Sequence, residues 1–284
     1  MVTLVQTTQA LAESRQSHSQ PVAFVPTMGN LHAGHLSLLE RALASYQTVY
    51  FSIFVNPKQF GPNEDFNHYP RTLESDIKLI EELAQRFSNS QIVVYSPLDP
   101  AEVFPESENQ NISVQGLSTD LEGKIRPGHF DGVATVVHRL FTLIRPEAAY
   151  FGLKDYQQFL VIKQLVKDLV MPIKVIGMPI IREVSGLALS SRNQYLDPQE
   201  KEESLILFKT LNILKIIINN KRSQIADARS YITTMLEDKN WNYLEIRDSE
   251  TFSDDVTNSH NITILAVYQK GTTRLLDNMQ VEVQ

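Results

Sequence analysis

The stretch PVAFVPTMGNLHAGH, Pro21–His35, decides how the rest of the chain is read. An apolar run bounded by prolines ends at Pro26, a turn holds Gly29, and a helical pattern (Leu36, Leu39, Leu43) opens around the second histidine. Strand, glycine turn and helix in that order are the parts of an anion-binding crossover. Glycine lets a ligand approach the backbone without a Cβ in the way, and the first N–H groups of a helix attract phosphate. His32 and His35 are three apart, so on a first helical turn they share a face. Two imidazoles there suit phosphate oxygens, but the same spacing suits ordinary surface or core hydrogen bonding. A metal pair is the third reading, although no carboxylate or third histidine stands at supportive spacing.

Outward from this turn the pattern repeats. TVYFSIFV at Thr48–Val55 is β-rich and continuous, as in a strand buried on both faces. Thr72–Phe87 is amphipathic through Ile77, Ile80, Leu83 and Ala84, and leads to a strand at Gln91–Tyr95. Val133–Ile144 reads as a helix, Ala148–Phe151 as a strand and Phe159–Leu169 as a helix. This alternation predicts an α/β fold, a doubly wound parallel sheet with its ligand edge at the loops after the strands. The rhythm changes after Pro172. A strand at Lys174–Ile181 and the loop SGLALSSRN precede helices near Gln199–Asn219 and Gln224–Asp238, and strand-like Tyr243–Arg247 and Ile262–Tyr268 close the chain. The expected domains are therefore 1–173, carrying the sheet, and 174–284, a smaller C-terminal α+β domain.

Composition narrows the function. The 284 residues include 26 Lys plus Arg and 33 Asp plus Glu, a net charge of −7, with 42% apolar and 21% charged residues. That excludes general disorder and argues against a broad nucleic-acid surface, while leaving room for a local cationic pocket. With no cysteine there are no disulfides, thiolate metal sites or cysteine nucleophile. The first twenty residues lack the basic start and apolar run of a signal peptide, and no apolar stretch approaches the roughly 20 residues needed to cross a bilayer. A soluble, cytoplasmic protein without membrane or nucleic-acid partners is expected.

These segments together resemble a known family. His32–His35 looks like the HxGH signature of a nucleotidyltransferase superfamily, and PTMGNLHAGHLSL resembles the pantoate–β-alanine ligase (pantothenate synthetase) family within it. FVNPKQFGPNEDFNHYPRT at Phe54–Thr72, RPGHFDGVATVV at Arg126–Val137, FGLKDYQQ at Phe151–Gln158 and GLALSSRNQYL at Gly186–Leu196 match in family order. The last ninety residues carry little signature.

The resemblance implies a Rossmann-like first domain, a second domain closing over the active site, and a homodimer. It implies an ATP- and Mg²⁺-dependent condensation of (R)-pantoate with β-alanine through pantoyl adenylate, releasing AMP and pyrophosphate. The alternative is another small-molecule adenylyltransferase of the superfamily. An acyl adenylate needs no protein nucleophile, in keeping with the missing cysteine and GxSxG elbow. ATP would meet Met28, Gly29, Asn30, Leu31, His32, Ala33, Gly34 and His35. It would also meet Gly152, Leu153, Lys154 and Asp155, then Ile181, Leu189, Ser190, Ser191 and Arg192. Catalysis falls to His35 as proton donor, His32 on phosphate oxygens and Lys154 on the α-phosphate. Gln59, Gln158 and Asn56 would hold pantoate, and Asp76 the Mg²⁺ through water.

Each role has a plainer counterpart in the residues themselves. Lys154 and Asp155 read equally as a solvated pair, LSSRN as a capped turn, and Asp76 as an acid complementing a helix dipole. Arg126 and His129 read as a structural turn or as a lid. The family often has acidic residues where Leu153 and Ser185 stand.

Overall fold

Nearly continuous burial of side chains that point alternately to opposite faces explains why the sheet is covered twice. In the computed structural model, which describes residues 1–62, 64–108, 110–220 and 224–283, strand β2 (Val22–Thr27) sends Val22 and Phe24 into one core and Ala23 and Val25 into another. β3 (Thr48–Ile53) does the same with Tyr50 against Val49 and Phe51. Around them lie β1 (Val2–Val5), β4 (Gln91–Tyr95), β5 (Ala148–Gly152) and β6 (Lys174–Met178), all parallel, in the order β1-β4-β3-β2-β5-β6. One face is packed by α1 (Thr8–Ser17), the longer α6 (His129–Ile144) and α7 (Tyr156–Asp168). The other is packed by α2 (Ala33–Leu43) and α3 (Leu73–Ala84). The short α4 (Pro100–Val103) and α5 (Glu122–Ile125) lie in the connection between β4 and β5.

The predicted doubly wound parallel sheet is thus present, with its order reversing at β2. From β2 the chain winds toward β3 and β4, then returns to place β5 on β2's other side. Ligands of such sheets bind beyond the carboxyl ends of the strands at that reversal. The turn after β2 is Met28–His32, and the turn after β5 is Leu153–Asp155.

Three features differ from the sequence reading. The chain divides into Met1–Leu153 with Gln157–Pro179, and Lys154–Tyr156 with Ile180–Gln284. The division therefore falls after Pro179 and not at 173, because β6 pairs along β5 from Ala148↔Lys174 to Gly152↔Met178 as the sixth parallel strand. The second unit is α8 (Pro198–Asn220) and α9 (Ile225–Met235) on an antiparallel sheet of β7 (Trp241–Asp248), β8 (Asn261–Lys270) and β9 (Thr273–Glu282). Its core joins Leu207, Leu211 and Leu214 to Leu244, Ile264 and Leu275, and β9, not the predicted Ile262–Tyr268, is its last strand. Finally, β1 and α1 occupy the first twenty residues, where the sequence reading placed no element. Among the described residues no helix is long and apolar enough to cross a membrane.

Candidate active site

The turn after β2 is built by its neighbours. Gly29 has φ +79°, and a Cβ there would lie 3.0 Å from both Asp76 Oδ2 and Ile53 Cγ2, so the position requires glycine. Asn30 follows at φ +50°. Asp76, on the first turn of α3 and 1% exposed, accepts the backbone N–H groups of Asn30 (3.0 Å) and Leu31 (2.8 Å) and the Thr72 hydroxyl (3.1 Å). The phosphate-binding candidate is thereby pinned to the next helix.

The histidines meet in a way that the spacing argument did not foresee. The helix starts at Ala33, and His32 is its N-cap, in extended conformation (φ −138°, ψ 175°). His32 Nδ1 accepts the Gly34 N–H at 3.1 Å, and His35 Nδ1 accepts the His32 N–H at 3.4 Å. This is a capping box made of two imidazoles, with ring centroids 4.1 Å apart. Because each Nδ1 accepts, each neutral ring carries its proton on Nε2 and offers an N–H donor there. A Cβ on Gly34 would lie 2.8 Å from His32 Cε1, so a side chain at that position would displace the ring.

A second turn, after β3, meets the first. Asn56 (1% exposed) caps the 3₁₀ turn Pro57–Gln59 by accepting the Lys58 N–H at 3.2 Å. Its Nδ2 donates to Gln59 Oε1 (3.0 Å) and to Gly132 O (3.1 Å). Gln59 Nε2 in turn lies 3.1 Å from Met28 Sδ, which brings the expected pantoate and ATP residues together. α6 approaches so closely that a Cβ on Gly132 would sit 2.1 Å from Lys58 O.

Arg126 and His129 form a clasp with Glu64 and Gln59. Arg126 Nε and Nη2 grip Glu64 at 2.7 and 2.6 Å, and its Nη1 lies 3.0 Å from His129 Nε2. His129 Nδ1 is 2.8 Å from Gln59 O. Burial first, then the Arg126 charge, pushes the His129 pKa down to about 4. The neutral ring donates from Nδ1 and accepts at Nε2. Burial alone would raise the Glu64 pKa, but the Arg126 hydrogen bonds and charge hold it below the usual carboxylate range. Asn63, within the same quoted motif, lies outside the described residues.

The remaining candidates fall mostly in the second unit. Lys154 Nζ is 3.8 Å from Asp155, whose side chain is 52% exposed against 20% for Lys154. Ile181 and Leu189 pair across a tight loop, with the Leu189 N–H donating to Ile181 O at 2.9 Å. Ser190 caps the 3₁₀ helix Ser191–Tyr195 through the Arg192 N–H (3.3 Å). The capped turn is therefore real, and it is the scaffold that holds Ser191 and Arg192. Leu153 packs on β6, where a Cβ on Gly177 would reach within 2.5 Å of Leu153 Cδ2.

Gln158 is half-buried on α7, in the sheet unit. Sequence reasoning passed over its neighbour Gln157, which is 4% exposed. Gln157 donates to Leu117 O (2.8 Å) and Asp120 O (2.7 Å) and accepts from the Glu122 N–H (3.2 Å). The doublet QQ gives no local signal to tell the two apart.

Comparison with known proteins supplies the family. The family model described as pantoate-beta-alanine ligase matches residues 1–280. The pantothenate synthetase of Acetivibrio thermocellus is 40% identical over 97% of this chain and 96% of its own length. That of Methylococcus capsulatus is 42% identical over 92% and 91%. Among solved structures, the pantothenate synthetase of Thermus thermophilus superposes with a TM-score of 0.88 at 39% identity, covering 98% of this chain and 99% of that one. The pantoate-beta-alanine ligase of Francisella tularensis, complexed with beta-gamma ATP and beta-alanine, gives 0.76 at 32% identity over 98% and 97%.

Proposed function

The chain belongs to the pantoate–β-alanine ligase family, and from that premise we propose how its residues carry the ATP-dependent condensation of (R)-pantoate with β-alanine. It is an enzyme of the AMP-forming ligase type, and the adenylyltransferase alternative is not favoured. The observation that carries the reading is the His32–His35 capping box at the carboxyl end of a central strand, in a chain matched by the family along nearly its whole length.

In the first step a pantoate carboxylate oxygen bonds to the α-phosphorus of ATP, and the bond to the β-phosphate oxygen breaks, releasing pyrophosphate. The Nε2–H groups of His32 and His35 donate hydrogen bonds to phosphate oxygens as charge shifts during transfer, with His35 as the principal donor and no proton leaving either neutral ring. Met28–Leu31, Ala33 and Gly34 cradle the nucleotide through backbone that Asp76 holds in place. The Gln59 amide, aligned by Asn56, binds pantoate together with Gln158. Gly152, Leu153, Asp155, Ile181 and Leu189 contact ATP, Lys154 steadies the α-phosphate, and Ser190, Ser191 and Arg192 serve the pyrophosphate side. These last roles follow the family resemblance and the charge of the groups. In the second step the β-alanine amine attacks the acyl carbon, the bond to AMP breaks and the amine loses a proton.

Mg²⁺ enters as the companion of the ATP phosphates. Asp76 does not fit as its holder, since it is 1% exposed and already accepts three hydrogen bonds. No group of three or more His, Cys, Asp or Glu suited to a metal ion occurs among the described residues, so no step is routed through a protein-bound ion. A cytoplasmic homodimer completes the proposal, supported by the family resemblance and the cysteine-free sequence.

The test is mass balance. With ATP, Mg²⁺, (R)-pantoate and β-alanine, the purified chain should release AMP and pyrophosphate in equal amounts with pantothenate. Retention of AMP in the product would favour the adenylyltransferase, and ATP binding without pyrophosphate release would mean a nucleotide-binding protein without turnover.

A further inference from the structure

Strand β9 carries Leu276-Asp277-Asn278, in the part of the chain where the sequence showed little signature. Both polar side chains are buried, Asp277 at 1% and Asn278 at 3% exposure. A buried carboxylate and amide persist only with partners. Asp277 takes Arg182 in a two-pronged pair, with Nη1 to Oδ2 at 2.5 Å and Nη2 to Oδ1 at 2.8 Å. Burial pushes the Asp277 pKa up, and Arg182 opposes that shift. Arg182 also donates to Gly186 O at 3.1 Å and to Asn278 O at 3.2 Å, and its guanidinium lies 4.8 Å from the centre of the Phe208 ring. The Asn278 N–H donates to Asp277 Oδ1 at 2.7 Å. The backbone of Asn278 is thus gripped on both its N–H and its carbonyl.

What Asn278 then holds is a site candidate. Its Nδ2 donates to the backbone carbonyl of Lys154 at 2.8 Å. Two residues further on, the Tyr156 hydroxyl donates to Ser249 O, just beyond β7, at 2.6 Å. The turn Lys154–Tyr156 is anchored at both ends to residues of the C-terminal unit, although the chain on either side of it belongs to the other. Lysine carries its charge on a long, flexible stem, so the fixed point from which that stem departs sets where the ammonium can reach. Small displacements of a charge-stabilising group are costly, about 10²-fold for 1 Å.

We propose that Asn278 is a positioning residue for Lys154, aligning its ammonium by holding its carbonyl, with the Asp277–Arg182 pair fixing Asn278 itself. The proposal rests on the assignment of Lys154 to the α-phosphate.

A double-mutant cycle on the full chain tests it, reading adenylate formation as pantoate-dependent pyrophosphate–ATP exchange. Asn278→Asp keeps the size and removes the donor, whereas Asn278→Ala removes it without adding charge; if one variant fails to fold, the other carries the cycle. With Lys154 present, either variant should lower the maximal exchange rate about tenfold while the pantoate KM stays within about twofold. In a Lys154→Ala background the same change should cost less than about twofold, a coupling within the range for residues of one hydrogen-bond network. Equal losses in both backgrounds, or none in the first, would overturn the proposal. An unchanged rate for Lys154→Ala alone would instead remove the assignment of Lys154, and the inference with it.

Discussion

Asp76 Oδ1 accepts the backbone N–H of Leu31 at 2.8 Å across 45 positions of sequence. The acid that the family resemblance would give to Mg²⁺ is spent on the shape of the turn after β2. Asp76→Ala would leave buried N–H groups of Asn30 and Leu31 without acceptors, at a cost of about 1–3 kcal/mol each, visible as a lower urea midpoint. Asp76→Asn keeps one acceptor, so its residual activity should show an unchanged half-saturating Mg²⁺ concentration. A shift of about tenfold or more would return Asp76 to the metal.

The two-histidine box separates capping from chemistry. Asparagine caps helices well, so His32→Asn should change stability by less than about 1 kcal/mol. The same variant should slow adenylate formation by about 10²–10³-fold, as for loss of a donor to developing charge. His35→Ala should lower the adenylation rate far more than it weakens binding of preformed pantoyl adenylate. Equal losses would mean that His35 positions ligand without a special role in the transition state.

His129 makes a prediction about acid. Its pKa is about 4 in the fold and about 6.5 when unfolded. Between those values the unfolded chain binds more protons, so stability rises with pH through that window and is lost as pH falls from 6.5 to 4. The full effect is about 3 kcal/mol. Arg126, Glu64 and Glu122 surround the ring, and Glu64 adds its own loss at lower pH. Comparison with His129→Asn, which keeps a donor for Gln59 O, isolates the histidine. The stability of the parent chain relative to the variant should fall as pH drops from about 6.5 to 4; parallel curves would count against a neutral ring.

Adjacent glutamines should behave oppositely. Gln157→Ala breaks three hydrogen bonds in the 117–122 connection and should cost about 2–3 kcal/mol of stability. Gln158→Ala should leave stability within about 0.5 kcal/mol and chiefly raise the pantoate KM. An effect of Gln158→Ala confined to ATP would contradict the assignment.

These contrasts show what the sequence could express. The inner strands were legible because β3 is buried at every position and Gln91–Tyr95 is nearly so. β1 was hidden because it is a four-residue edge strand with Thr3 and Leu4 exposed. β9 was obscured by Arg274, Asp277 and Asn278, whose partners lie on other segments. β6 was recognised as a strand but assigned to the wrong unit, because Pro172 resembles a boundary and parallel pairing with β5 leaves no local trace. In the candidate site, motif order singled out the HxGH, Gln59 and Lys154 segments. What it could not express were contacts between distant residues: Asp76 on the turn after β2, Arg126 on Glu64, and Asn278 on Lys154.

The contact at Gly132 has a genetic consequence. The space behind its Cα is already filled by the carbonyl of Lys58, the residue beside Gln59. Each of the other nineteen coded amino acids would put a carbon there, so hydrophobicity, charge and size offer no route to tolerance. In a library of random single variants assayed for growth without supplied pantothenate, codon 132 should be recovered only as synonymous glycine.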